Sequence, residues 1–200
     1  EGTTGRPASL TYPNGQQTTW SYDDNLGDRR LREIHNKRPG GATLSRFEYT
    51  YDKAGNTRMW LQQADSDPPK MYHLGYDQAD QLTAAILKST DPVPQILKRY
   101  YYAYDPAGNR TAEQIDDAVT GATYNNMNQL VSQQAGGALV FKGTVSEPAS
   151  VTVGGKPATV AADNRFEGHA VVPGGTGQVA VTATDPSGNT RTSTYQVSQG

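Results

Sequence analysis

The chain has 200 residues, no cysteine, and 18 basic against 20 acidic residues, for a formal net charge of −2. This length allows one large domain or two small ones; the lack of cysteine excludes disulfides and thiolate metal sites, and the charge balance argues against a nucleic-acid partner. No apolar run approaches the roughly 18 residues of a spanning helix, so no membrane insertion is expected, while 21 Gly, 12 Pro and 34% hydrophobic residues point to many short strands in thin layers.

The first expected element is a short strand running into Tyr12-Pro13-Asn14-Gly15-Gln16, where Asn-Gly marks a hairpin. A strand to Tyr22, a turn near Asp23–Gly27 and a return through Leu31 and Ile34 follow. The tyrosine–aspartate pair then recurs as Tyr51-Asp52-Lys53-Ala54-Gly55-Asn56, Tyr76-Asp77-Gln78-Ala79-Asp80-Gln81 and Tyr104-Asp105-Pro106-Ala107-Gly108-Asn109, with a worn copy from Tyr124 to Gln129. The steps between these tyrosines are 29, 25, 28 and 20 residues, a period that marks stacked supersecondary repeats. Aspartate at the start of a type I turn accepts hydrogen bonds from the turn backbone, and glycine three residues on supplies the positive φ that returns the chain to the ladder. Asp52 with Gly55 and Asp105 with Gly108 fit that pattern directly.

Two places before each repeat tyrosine stand Trp20, Tyr49, Leu74, Tyr102 and Ala122, with Ser21, Thr50, Gly75, Ala103 and Thr123 between. One face of each strand is therefore mostly large and the other small. The large residues are expected to be largely buried and to form a cross-strand ladder, each pair contributing about 0.2–1 kcal/mol beyond its area burial. Looser connections at Asn36–Gly41, Asp65–Lys70, Ser89–Pro94 and Asp116–Gly121 alternate with the tight turns, giving about eleven antiparallel strands before Gln134.

After Gln134 the composition changes. Tyrosine is reduced to Tyr195, and Val, Thr, Ala and Gly alternate through Val151–Val153, Ala158–Val160, Val179–Ala183 and Thr192–Val197. Six or seven short strands with Gly/Pro turns indicate a small β-sandwich. The expected organisation is thus all-β: a hairpin array over 1–135 and a sandwich over 136–200, with the boundary near Gly136-Gly137. Asp185-Pro186-Ser187-Gly188-Asn189 reuses the turn chemistry, but Thr184 stands where the tyrosine would be.

The pattern Tyr-x-Tyr-Asp-x-x-Gly-Asn, at 49–56 and 102–109 with weaker copies around Tyr22, Tyr76 and Tyr124, resembles the YD-repeat (Rhs) family of bacterial polymorphic toxins, wall-associated proteins and teneurins. Residues 143–189 resemble bacterial immunoglobulin-like modules of surface proteins. The resemblance implies a β-sheet curling into a partial shell or spiral, a secreted or cell-surface bacterial location, and the rest of a longer repeat protein as the main partner. The chain, beginning at Glu1, reads as an excerpt of such a protein. The cleavage motif of toxin members is not carried over, because Asp185-Pro186-Ser187-Gly188 continues as Asn189-Thr190-Arg191.

His35, His73 and His169 have no close ligand spacing, and neither Asp65-Ser66-Asp67 nor Asp116-Asp117 has EF-hand spacing. Neither an enzyme nor a cofactor is expected. The repeat residues Tyr22, Asp23, Tyr51, Asp52, Gly55, Asn56, Tyr76, Asp77, Tyr104, Asp105, Gly108, Asn109 and Tyr124 are assigned structural roles in a non-catalytic scaffold. The alternative is a carbohydrate-binding or adhesion module that presents Trp20, Trp60, Tyr100 and Tyr101 to surface glycans, Trp60 breaking the repeat register and Tyr101 facing opposite to Tyr100 and Tyr102.

Overall fold

A computed structural model describes residues 5–172 and 175–199, the side chains of 198 and 199 excepted. Its elements in chain order are β1 (Ser9–Thr11), β2 (Gln17–Tyr22), a single-turn 3-10 helix (Asn25–Gly27), β3 (Leu31–Lys37), β4 (Thr43–Tyr51), β5 (Thr57–Ala64), β6 (Lys70–Tyr76), β7 (Leu82–Ser89), β8 (Ile96–Tyr104), β9 (Arg110–Ile115), β10 (Ala118–Tyr124) and β11 (Leu130–Ala135). There follow β12 (Gly137–Thr144), β13 (Ser150–Val153), β14 (Lys156–Pro157), β15 (Thr159–Val160), β16 (Arg165–Val172), β17 (Gly175–Thr184) and β18 (Thr190–Gln199). The described residues contain no α-helix, and the fold is all-β with antiparallel sheets. The chain forms two compact units, Glu1–Arg99 and Tyr100–Gly200, dividing within β8.

In the first unit β1 to β7 pair with one another in chain order, and the β7–β8 turn closes with the Ser89 N–H donating to the Gln95 carbonyl at 2.9 Å. Side chains alternate with period two, so residues paired across each hairpin share one face of the sheet. Trp20 lies opposite Ile34 and Ile34 opposite Phe47. Tyr49 lies opposite Trp60, Trp60 opposite Tyr72 and Tyr72 opposite Leu87. The rings of Tyr49 and Trp60 stack at 6.4 Å and 13°, those of Trp60 and Tyr72 at 5.6 Å and 25°. A polar rung beside this band runs from the Thr18 hydroxyl to Asn36 Oδ1 at 2.7 Å and from Asn36 Nδ2 to Ser45 Oγ at 2.9 Å.

The expectation of largely buried tyrosines is corrected here. Trp20, Tyr22, Tyr49, Tyr51 and Tyr76 are half-buried, and among the described residues of this unit only Thr18 and Ala85 are buried. Its strands form a single sheet, so each ring is covered from the sides by neighbours in the ladder and keeps a surface open to water.

In the second unit the end of β8 pairs with β9, β9 with β10 and β10 with β11. The chain then turns at Gly136 and Gly137, whose φ of +91° and +141° suit glycine alone, and enters a sandwich of two sheets, β12-β16-β15 and β14-β13-β17-β18. Its core consists of Leu139, Val151, Val153, Ala170, Val172, Val179, Val181 and Val197 from alternating inward positions. Val119 of β10 joins this core. Gln114 of β9, also buried, accepts the Val140 N–H at 2.7 Å and donates to the Asp116 carbonyl at 2.8 Å. The sheet therefore changes at Gly136-Gly137, while the last hairpins and the sandwich share one compact unit.

Candidate functional site

The residues singled out by the repeat lie along the turn edge of each hairpin. Eight turns among the described residues share one backbone pattern, in which the first residue donates its N–H to the carbonyl four residues on and the fourth donates back to the first, at 2.7–3.2 Å: Asp52–Asn56, Asp77–Gln81, Asp105–Asn109, Asn125–Gln129 and Asp185–Asn189, and also Tyr12–Gln16, Arg38–Ala42 and Ala161–Arg165. The leading carboxylate or amide oxygen also accepts from the turn's own N–H groups, as in Asp52 Oδ1 from Gly55 at 2.8 Å and from Asn56 at 2.9 Å. Asp105, Asn125 and Asp185 repeat this with their +2 and +4 residues. For Asp52, burial opposes the charged form, but the hydrogen bonds from Asn56 and Gly55 outweigh it and hold the carboxyl below its usual range. Asp105 and Asp185 are lowered chiefly by the side chains and N–H groups of Asn109 and Asn189. Gly55 and Gly108 have φ of +104° and +85°. In the weaker copies Asp80 and Asn128 take that place at +58° and +59°, an αL conformation that short polar side chains tolerate.

The first turn differs. Three additional residues carry the 3-10 helix, and Asp24 rather than Asp23 accepts the Leu26 and Gly27 N–H groups at 2.9 and 3.1 Å. Asp23 keeps the backbone pair with Arg30 at 2.9 Å.

Each repeat tyrosine ends its strand just after a register shift and sits opposite the first residue beyond its own turn: Tyr22 with Leu31, Tyr51 with Thr57, Tyr76 with Leu82, Tyr104 with Arg110 and Tyr124 with Leu130. In four of the five the hydroxyl reaches back toward the preceding part of the chain. Tyr51 donates to the Leu31 carbonyl at 2.7 Å, Tyr76 to Thr57 at 3.1 Å and Tyr124 to Arg110 at 3.1 Å, with Tyr22 donating to Pro7 at 3.1 Å. Burial is the largest cause raising the Tyr51 and Tyr76 hydroxyls above their usual pKa, so both remain neutral donors. The turns are also tied sideways: Asn56 Nδ2 donates to Asp80 at 2.6 Å, Asn109 Nδ2 to Asn128 at 2.9 Å, and Arg30 to the Asp52 carbonyl at 2.8 Å while lying 5.5 Å over the Tyr51 ring. These sideways links join residues about 20 positions apart, and nothing in a single repeat signals them.

Of the four glycan candidates, Trp60 is stacked between Tyr49 and Tyr72. Its indole N–H is buried without a well-formed hydrogen bond, although it faces the Tyr49 hydroxyl closely enough to lower that group's pKa against the larger effect of burial. Tyr101 is buried, with the Lys142 ammonium 4.9 Å over its ring. Trp20 and Tyr100 are half-buried opposite Ile34 and Ile115. Trp20 and Trp60 lie in the first unit, Tyr100 and Tyr101 in the second. Among the described residues no group of three or more His, Asp or Glu is placed to hold a metal ion, and no helix is long and apolar enough to cross a membrane. A cleft of about 470 Å³ opens in the sandwich, lined by Phe166, Val181 and Tyr195 together with Glu147 and Arg191. Asp185, also at this cleft, is already engaged by its own turn.

No family model and no curated protein matches this chain. Among solved structures, the crystal structure of TcdB2-TccC3-TEV is similar over 90% of this chain and 12% of that one, with 13% identity and a TM-score of 0.47. The chain thus spans about an eighth of that protein's length.

Proposed function

We propose that this chain is a non-catalytic scaffold segment of a secreted or cell-surface repeat protein of the YD type, built to hold consecutive hairpins in register. The observation that carries this reading is the series of tyrosine hydroxyls, each donating to a backbone carbonyl of the hairpin before it. A residue repeated for recognition would present its ring and hydroxyl to a ligand; these hydroxyls are consumed within the sheet. The packing of Trp60 and Tyr101 removes the strongest candidates for sugar stacking, which supports the scaffold over the adhesion module. The partner implied is the remainder of the longer repeat protein.

The test pairs two readings on one variant. Tyr51→Ala should lower stability by about 2 kcal/mol, below the range of fully buried aromatic truncations because the ring is half-buried. On a glycan array it should behave as the parent chain does. A variant that melts like the parent but loses sugar binding would establish the adhesion reading instead.

A further inference from the structure

The free edge of β11 differs from the rest of the meander. All six of its residues are exposed, with Leu130 at 55% and Val131 at 65%, and among the described residues it pairs only with β10. Its sequence, Leu130-Val131-Ser132-Gln133-Gln134-Ala135, has none of the charges, prolines or bulge glycines that usually guard an edge. The Gly136 N–H donates to the Val119 carbonyl at 2.8 Å, and the two positive-φ glycines carry the chain into β12 on the other sheet.

Leu130 also occupies a defined place in the repeat. It is the residue opposite Tyr124, as Leu31 is opposite Tyr22, Thr57 opposite Tyr51 and Arg110 opposite Tyr104. The carbonyls of Leu31, Thr57 and Arg110 each accept a tyrosine hydroxyl from the strand that follows. No tyrosine hydroxyl among the described residues donates to Leu130.

We propose that the β11 edge is a docking site for one further antiparallel strand that ends in an aromatic-x-Tyr-Asp turn. The incoming tyrosine hydroxyl donates to the Leu130 carbonyl, and the aromatic residue two places earlier covers Val131. This rests on the scaffold reading and names the partner chemistry of its open edge. A second copy pairing β11 with β11 is the poorer occupant: β11 contains no tyrosine, so the Leu130 carbonyl would stay without its hydroxyl.

The probe is a fluorescently labelled synthetic peptide of residues 96–109, which carries the Tyr102-x-Tyr104-Asp105 pattern, titrated into the full chain. Amide shift changes should fall on β11 and the Asn125–Gln129 turn. A Tyr104→Phe peptide should bind about fivefold more weakly, the effect of one hydroxyl–carbonyl bond. Val131→Lys in the chain, at an exposed position that leaves the fold intact, should abolish binding. The proposal is overturned by absence of binding, by shifts at another edge such as β1 or β18, by equal affinity of the Phe peptide, or by peptide-independent dimerisation through β11. None of these outcomes touches the scaffold reading, which is judged by the stability of tyrosine variants without any peptide.

Discussion

Tyr51→Phe removes one oxygen and keeps the ring, and so isolates the link between hairpins. The hydroxyl lies 2.7 Å from the Leu31 carbonyl in a partly buried setting. The ring keeps its place beneath the Arg30 guanidinium at 5.5 Å. A net contribution of about 0.5–1.5 kcal/mol is typical of such a neutral bond, and a partly buried carbonyl left without its donor places the expected loss near 1 kcal/mol. In a thermal melt followed by circular dichroism this lowers the midpoint by about 2–4 °C if the chain unfolds as one, or about 4–8 °C if the first unit melts alone. The control is Tyr12→Phe, whose ring is 42% exposed and whose hydroxyl has no partner among the described residues, and which should shift the midpoint by less than the scatter of replicate melts. If the two variants melt alike, the hydroxyl ladder contributes nothing and the reasoning fails.

Gly55→Val and Gly108→Val place a β-branched side chain at φ of +104° and +85° and should each cost about 1–2 kcal/mol in a denaturant titration; Gly108→Asn should cost less, and equal losses would speak against backbone strain. Removing both Asn56 and Asp80 should cost less than the sum of the single substitutions to Ala, because they share one bond, and strict additivity in the double-mutant cycle would count against the sideways link. Burial lowers the pKa of His35 and of His73, so the folded state disfavours their protonation; stability is fully present above pH about 6.5 and should fall as pH drops below it, a loss that His35→Gln and His73→Gln together should largely abolish. Burial raises the hydroxyls of Tyr49, Tyr51, Tyr76 and Tyr102, so the contribution of these groups is complete below pH about 10 and is lost as pH rises beyond it; a melting temperature that stays flat from pH 9 to 11 would contradict this.

Local chemistry made much of the fold legible in the sequence. The Asp-to-Gly spacing at Asp52–Gly55 and Asp105–Gly108 specifies a turn with a positive-φ residue, and alternation around Tyr51 and Tyr104 specifies strands, so strand number and antiparallel order could be read directly. The edge of the first unit was harder to read. Asp23 matches the repeat by position, yet the longer loop to Arg30 hands the capping role to Asp24, a change visible only once the loop length is resolved. The half-burial of Tyr51 and its neighbours depends on the number of layers that cover a sheet, and side-chain alternation reports only which face is apolar. The hydroxyl bonds from Tyr51 to Leu31 and Tyr76 to Thr57, and the rung from Asn56 to Asp80, join different hairpins. They follow from register between strands rather than from any one motif. Gln114 and Val119 could not be distinguished from ordinary strand residues, because what they pack against lies beyond the change of sheet at Gly136.

If the hydroxyls of Tyr51, Tyr76 and Tyr124 each secure the hairpin before their own, native-state hydrogen exchange on Tyr51→Phe will show it. Loss of about 1 kcal/mol from that link should speed exchange about fivefold at amides of β3 and of the Asp23–Arg30 turn, on the far side of the missing bond, while β6 and β7 keep their protection. Exchange that changes only within the Asp52–Asn56 turn, or nowhere in the preceding hairpin, would show that the tyrosines serve their own turns and that the hairpins are held together by other means.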